Sequence, residues 1–348
     1  MFHTFIIVGV SFASTVRLTV HFQIASVLQE LHSAKMVSRF NQQHLKRVIY
    51  LLCIFALIVL SMYSTKFNLH SYTPRQHCAC KKCITDKDSG FQAVLDAAPV
   101  PFLSRNYAIA KDAFNWWKGI QYESRSKEYL NTLLDKLFDI IPPPAVVEAS
   151  PERCRSCAVV GNSGNLKGSH YGHLIDFHDI VIRMNRGRTK GYEADVGTKT
   201  THHVMYPESA INLDNTTHLV HFLFKIKDLE WLLKALQTEG NEKKNSKIAN
   251  KDLVMVLNPA FMKYTYDLWL HKKGRYPSTG FMTLILSLQI CDEVNVFGFG
   301  ADRDGNWNHY FETLTDKHFK TGPHPGNVEY EMILQLAQYE KIHMFKGA

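Results

Sequence analysis

The chain lacks the G-x-G-x-x-G fingerprint of dinucleotide-binding βαβ units, which argues against a soluble dinucleotide-dependent oxidoreductase. It also lacks internal repeats and long low-complexity tracts, so its 348 residues and 45% hydrophobic content read as one large globular domain or two small ones. Basic residues form no long run. The formal net charge of +8 implies an anionic partner, whether nucleotide, nucleic acid or lipid headgroup, without choosing among them. C-x-x-C spacing occurs twice, but the intervals match no standard four-ligand zinc module.

What is present begins with an uncharged run over residues 48–65, "VIYLLCIFALIVLSMYST", flanked by Lys46, Arg47 and Lys66. Crossing a bilayer takes about 17 to 25 apolar residues, so this is a short but adequate transmembrane helix. A buried helix would show a polar face, and a cleaved signal peptide would carry its apolar segment nearer the terminus. Residues 1–31 are semi-apolar but broken by His3, Arg17 and His21; Met36 is an alternative start, opening a short basic tail. Arg39, Lys46 and Arg47 place residues 1–47 in the cytosol and the rest in a lumen. Of seven cysteines, Cys53 lies inside the run; the other six, Cys78, Cys80, Cys83, Cys154, Cys157 and Cys291, form an even set suited to disulfides in an oxidising compartment. Fifteen pairings of six cysteines are open. Asn215-Thr216-Thr217 is a glycosylation acceptor, in keeping with a secretory lumen.

Residues 66–100 are polar, contain the "CACKKC" cluster and read as a stem, leaving 101–348 for the lumenal globular domain. Residues 107–141 show apolar positions at helical spacing and stop at "PPP", 142–144. Strand and helix patterns then alternate. The strands are "AVVG" at 158, "IVIRMN" at 180, "HHVMY" at 202, "HLVHFLF" at 218, "DLVMVLN" at 252, "EVNVFGFG" at 293 and "IHMF" at 342, with helices beginning near 227, 260, 279 and 328. This predicts an α/β, Rossmann-like, mostly parallel sheet covered on both faces. Residues 239–251 read as an exposed loop. Ligands bind such sheets at the carboxyl ends of the strands. Along that edge fall Gly161, Gly164 and Gly168 after "AVV", Asn185 after "IVIRM", and Gly298 and Gly300 after "EVNVF".

The loop "GNSGNLKG" has glycines that admit a phosphate, with Asn162 and Asn165 in the turn. Pro277-Ser278-Thr279-Gly280 opens an apolar helix; Ser278 as a helix cap accounts for it structurally, and the amides there also suit an anion. His309 precedes Glu312, and His324 precedes Glu329. A histidine in a loop is commonly packing or surface, but a protonated imidazole can neutralise a phosphate and a neutral one can remove a hydroxyl proton.

These segments together resemble the animal sialyltransferases, glycosyltransferase family 29. "CRSCAVVGNSGNLKGSHYGHLIDFHDIVIRMNRGRTKGYEADVGTKTTHH" is similar to the family's long motif, "GRYPSTG" through "CDEVNVFGFG" to its short one, "HYFE" to the third, and His324-x4-Glu329 to the very short one. The wording of the long motif, with "CACKKC" and "GNWNHY", most resembles the β-galactoside α2,3-sialyltransferases acting on Galβ1,3GalNAc. The resemblance implies a metal-independent variant of the glycosyltransferase A fold, a CMP-sialic acid donor and no metal or other cofactor. It also implies inversion by single displacement and a type II protein of the Golgi membrane. Its implied partners are galactose-terminated O-glycans or gangliosides and a second copy of the chain as a homodimer, with no nucleic acid. Carried onto matching positions, Asn162, Ser163, Asn165 and Asn185 contact the nucleotide, and Tyr276, Ser278, Thr279, Gly280 and Gly300 line the donor end. His309 then holds the departing phosphate, His324 is the base and Gln121, behind Trp116-Trp117, touches the acceptor. Disulfides Cys78–Cys83, Cys80–Cys154 and Cys157–Cys291 are implied likewise. The sequence departs from close relatives at Asn308 and Phe311, in the 239–251 loop and in its extended N-terminus. Two other readings stand beside this one: an acceptor of Galβ1,4GlcNAc type, and a catalytically silent membrane lectin of the same fold.

Overall fold

The computed structural model describes residues 49–57, 78–84, 88–144, 150–237, 248–313 and 323–347. Two compact units divide at Pro74 and Arg75. In the first, residues 49–57 are helical and exposed. The remainder of the apolar run, residues 58–65, the tail 1–47 with Met36, the stem residues 66–77 and most of the 239–251 loop lie outside the described residues. Among the described residues no helix is long and apolar enough to cross a membrane.

The second unit starts at Arg75, earlier than the expected boundary at 101. Its first helix, α1 (Ser89–Asp96), is capped by the Asp88 carboxylate, which accepts the Phe91 amide. Phe91 packs edge-on against Trp269, the Leu95 carbonyl accepts Gln289 Nε2 at 3.1 Å, and Cys80 is bonded to Cys154. The polar composition that read as stem thus belongs to a helix with one buried apolar side. Next come α2 (Lys111–Ile120) and α3 (Lys127–Phe138). In α3, Ser126 accepts the Tyr129 amide, and Leu130, Leu133, Leu134 and Leu137 fall on one buried face.

From here the chain alternates. The strands are β1 (Ser156–Val160), β2 (Ile180–Met184), β3 (His202–Met205), β4 (His218–His221), β5 (Val254–Val256), β6 (Glu293–Phe297) and β7 (His343–Phe345). The helices among them are α4 (Gly172–Phe177), α5 (Glu193–Val196), α6 (Ile226–Gln237), α7 (Pro259–Tyr264), α8 (Thr279–Ile290) and α9 (Gly326–Gln338). All seven strands pair in parallel in the order β5-β4-β3-β2-β1-β6-β7. Side chains alternate as the pleat requires. Cys157, Val159, Ile182 and Val296 join the larger core with α8, whereas Ala158, Val160, Val181 and Phe297 join a smaller one with Ile175 and Val196. Helix α8 is apolar all round because the sheet and the outer helices enclose it. Cys157–Cys291 ties β1 to the end of α8 across 134 residues, and Cys78–Cys83 closes the third disulfide, as the resemblance implied. A loop of that length contributes about 4 to 5 kcal/mol in the chain-entropy model. Strand order reverses between β1 and β6, the switch point where the carboxyl ends of a parallel sheet open a crevice.

Candidate active site

The crevice is built from three backbone segments held to one another. Gly161 follows β1, donates to the Phe297 carbonyl at 2.8 Å, and lies so close to the end of β6 that an added Cβ would come within 2.2 Å of the Gly298 oxygen. A larger residue would push the two loops apart. Ser163 donates to Gly298 at 3.0 Å, and Asn165 Nδ2 donates to the Phe299 carbonyl at 2.9 Å. A later segment then joins: the Gly164 amide donates to Asn308 at 2.8 Å, and the Tyr310 amide to Asn162 at 3.0 Å, bringing His309 opposite Ser163. Tyr310 anchors that segment, its phenol donating to the Arg188 carbonyl and pushed up to about 12 by burial.

The result is a cleft of about 440 Å³ lined by Asn162, Ser163, Asn185, Ser278, Thr279, Gly280, Gly300, His309 and His324, a size suited to a small-molecule ligand. Nine of the twelve expected catalytic, donor and acceptor residues therefore converge. Asn165 instead staples the glycine loop to the segment after β6, and Tyr276 and Gln121 are not among the lining residues but bond to each other, Gln121 Nε2 donating to the Tyr276 hydroxyl at 3.1 Å. Asn215 is exposed on a separate loop, its carbonyl accepting Asn250 Nδ2 at 3.1 Å.

Two asparagines present acceptors to the cleft. Asn162 Nδ2 is used on the Met184 carbonyl at 3.1 Å, which leaves Oδ1 buried with no partner among the described residues. Asn185, at φ 54, has its backbone pinned by Val204 and its own carbonyl bonded to His203 Nε2 at 2.6 Å; its side-chain oxygen is likewise unpartnered. Buried acceptors of this kind need a donor. His203, held down to about 4 by burial, is a positioning residue that sequence reasoning did not single out. Its signal is its place in "TKTTHH", the last part of the long motif.

The two imidazoles sit differently. His324 lies between Pro323 and Pro325 at the entry to α9, edge-on to the Tyr276 ring at 5.0 Å, with Nδ1 3.2 Å from the Tyr276 carbonyl. A carbonyl can only accept, so Nδ1 carries the proton and Nε2 keeps a lone pair. Burial holds the ring below its ordinary value, opposed by the Tyr276 hydrogen bond. His309 is more exposed, stacks on Phe311 and has Nδ1 2.8 Å from Glu312 Oε1. Burial raises Glu312, but hydrogen bonds from His309 outweigh it and hold the carboxyl below its usual range.

Glu329 does not serve His324. Its carboxylate accepts the Ser278 amide at 2.7 Å and the Ser278 hydroxyl at 2.6 Å, while Ser278 Oγ accepts the Phe281 amide at 3.1 Å. Burial pushes Glu329 up, against those two bonds. Ser278 is thereby fixed as the cap of α8, and the Thr279 and Gly280 amides of its first turn stay available to an anion. Among the described residues the one grouping of metal-ligating atoms is Cys80, Cys154 and Glu293, away from the cleft, and its two thiols form a disulfide.

A parallel sheet whose switch point holds a compact nucleotide-sized cleft, with an anion-ready helix start and two imidazoles but no dinucleotide fingerprint, defines a group-transfer enzyme acting on an activated small molecule. The model of glycosyltransferase family 29 (sialyltransferase) matches residues 102–341. The chain is 42% identical over 302 residues to CMP-N-acetylneuraminate-beta-galactosamide-alpha-2,3-sialyltransferase 1 of Gallus gallus, covering 83% of this chain and 88% of that one. It is also 42% identical over 284 residues to the corresponding sialyltransferase 2 of Mus musculus, covering 78% and 81%. A crystal structure of a mammalian sialyltransferase in complex with Gal-beta-1-3GalNAc-ortho-nitrophenol is similar at a TM-score of 0.68 and 40% identity, covering 78% of this chain and 100% of that one. The chain belongs to glycosyltransferase family 29, the sialyltransferases.

Proposed function

We propose that the chain transfers sialic acid from CMP-sialic acid to the 3-hydroxyl of the terminal galactose in Galβ1,3GalNAc, with inversion and by single displacement. The observation that carries this reading is the convergence of His324 and His309 on one cleft with Asn162, Asn185 and the start of α8. The names of the relatives and the acceptor bound in the 40% identical structure support the donor and acceptor.

The residues divide the work as follows. The unpartnered oxygens of Asn162 and Asn185 accept from the cytidine. The phosphate of CMP lies against the Thr279 and Gly280 amides and a ring N–H of His309. As the bond from the anomeric carbon to the phosphate oxygen breaks, its electron pair and a growing negative charge go to the phosphate, and fixed donors there stabilise the transition state. The galactose 3-hydroxyl attacks the opposite face, forms the new carbon–oxygen bond, and gives its proton to His324 Nε2. Within this scheme the phosphate charge is met by protein groups, so neither a metal ion nor another cofactor is required. The apolar run 48–65 anchors the protein in the Golgi membrane with residues 66–348 lumenal.

The test is a transfer assay on the full chain in detergent, with CMP-sialic acid and either Galβ1,3GalNAc or Galβ1,4GlcNAc, with and without EDTA. Sialylation at the 3-hydroxyl of the first acceptor, unaffected by chelation, is expected. Binding of CMP and acceptor with no turnover would make the protein a lectin, and preference for Galβ1,4GlcNAc would correct the acceptor.

A further inference from the structure

Helix α2 ends at Ile120, and two residues later Tyr122 occupies the left-handed region at φ 54 while Glu123 closes the turn by donating to the Lys118 carbonyl at 2.9 Å. Helix ends use glycine or asparagine there, because a bulky side chain makes that conformation costly. Tyr122 recovers little of that cost by burial: it is 85% exposed. Its ring is nevertheless positioned. The Arg275 guanidinium lies 4.8 Å from the Tyr122 centroid and 6.0 Å from that of Tyr276, and pairs with no carboxylate among the described residues. The Tyr276 ring in turn touches His324 at 5.0 Å. Gln121, the neighbour of Tyr122 in sequence, bonds the Tyr276 hydroxyl at 3.1 Å. Tyr122 is thus joined to the surroundings of His324 both through the chain and through a stack of rings.

We propose that Tyr122 and Arg275 form a stacking subsite at the rim of the cleft, which holds the part of the acceptor beyond its terminal galactose. The proposal rests on the transfer reaction above. A pyranose has an apolar face of C–H groups and a rim of hydroxyls. An exposed aromatic face takes the first, and a guanidinium with five N–H donors takes the second. With the galactose 3-hydroxyl at His324 Nε2, the next sugar is attached at the anomeric carbon, away from the reacting oxygen, and reaches the rim. Arg275 packs on one face of Tyr122 by cation–π attraction and leaves the other for that sugar.

Tyr122→Asn removes the ring but keeps a residue that enters the left-handed region readily, and Tyr122→Phe keeps the ring. Both are assayed at saturating CMP-sialic acid with a Galβ1,3GalNAc-threonine glycopeptide and with methyl β-galactoside, which lacks the second sugar. Tyr122→Asn is expected to raise KM for the glycopeptide about threefold to tenfold, the range for an aromatic contact. The KM for methyl β-galactoside and both kcat values should stay unchanged, and Tyr122→Phe should match the parent chain. Equal KM increases for both acceptors, a fall in kcat, no change with the glycopeptide, or a defect in Tyr122→Phe would each overturn the subsite. Should the parent chain transfer to neither acceptor, the function reading itself fails and the subsite with it.

Discussion

His324 and His309 reach one cleft from two kinds of structure. His324 is held by main chain: prolines on both sides, a carbonyl on Nδ1, an aromatic edge against the ring and burial that disfavours its charge. His309 is held by a side chain, with a carboxylate 2.8 Å from Nδ1 and open solvent beside it. The first environment disfavours the charged form of its ring; the second sets its ring beside a carboxylate. In the proposed reaction one residue type supplies both a base and an anion-stabilising group, and the two rings differ in burial, in ring contacts and in what touches Nδ1.

Removing each ring tests that division. His324→Ala should lower kcat/KM about 10² to 10⁴-fold, the usual worth of a positioned base, while CMP affinity measured by calorimetry stays as it was. Loss of nucleotide binding would move His324 to the donor side. His309→Asn should lower kcat by about 10² to 10³-fold, as for removal of one charge-stabilising donor. Binding of CMP, which carries the phosphate, should weaken in the same variant, while binding of cytidine, which lacks it, stays unchanged. An equal loss of cytidine binding would mean that His309 shapes the cleft and does not meet the phosphate.

The contrast was only half legible in the sequence. Strands β1, β2 and β6 are marked by runs bearing valine and isoleucine, because central parallel strands are buried on both faces. Helices α4 and α5, of six and four residues, leave no mark in the sequence, since neither is long enough to show a period. Helix α1 reads as stem because the ring that packs on it, Trp269, is distant in sequence. At the site, His309 and Glu312 are neighbours on the chain, so their pairing could be anticipated. The partners of His324 could not: Tyr276 lies 48 residues away, and Glu329, the nearer acid in sequence, turns to Ser278. His203 escaped for the same reason, since its role is set by a bond to the Asn185 carbonyl across two strands.

The dependence of rate on pH sharpens the comparison by a smaller amount. His324 must be neutral to act, and burial lowers its value from the ordinary 6.5. Its charged form therefore gathers only as pH falls through a point below 6.5, and kcat/KM should be level near neutrality and drop tenfold per unit beneath that point. An acid limb centred at or above 6.5 would contradict a buried base.

The smallest effect belongs to Glu312. Both partners of its ion pair with His309 are close to half exposed, at 44% and 49%. An exposed pair contributes about 0.2 to 1 kcal/mol, which is at most about fivefold in rate. Glu312→Gln should therefore reduce kcat by no more than about fivefold and should make the loss depend on salt, because the parent pair is screened and the variant has none. A loss as large as that of His309→Asn would mean that Glu312 meets the substrate directly. In that case the charge on the departing phosphate would be balanced by the start of α8 alone, where Glu329 already fixes Ser278.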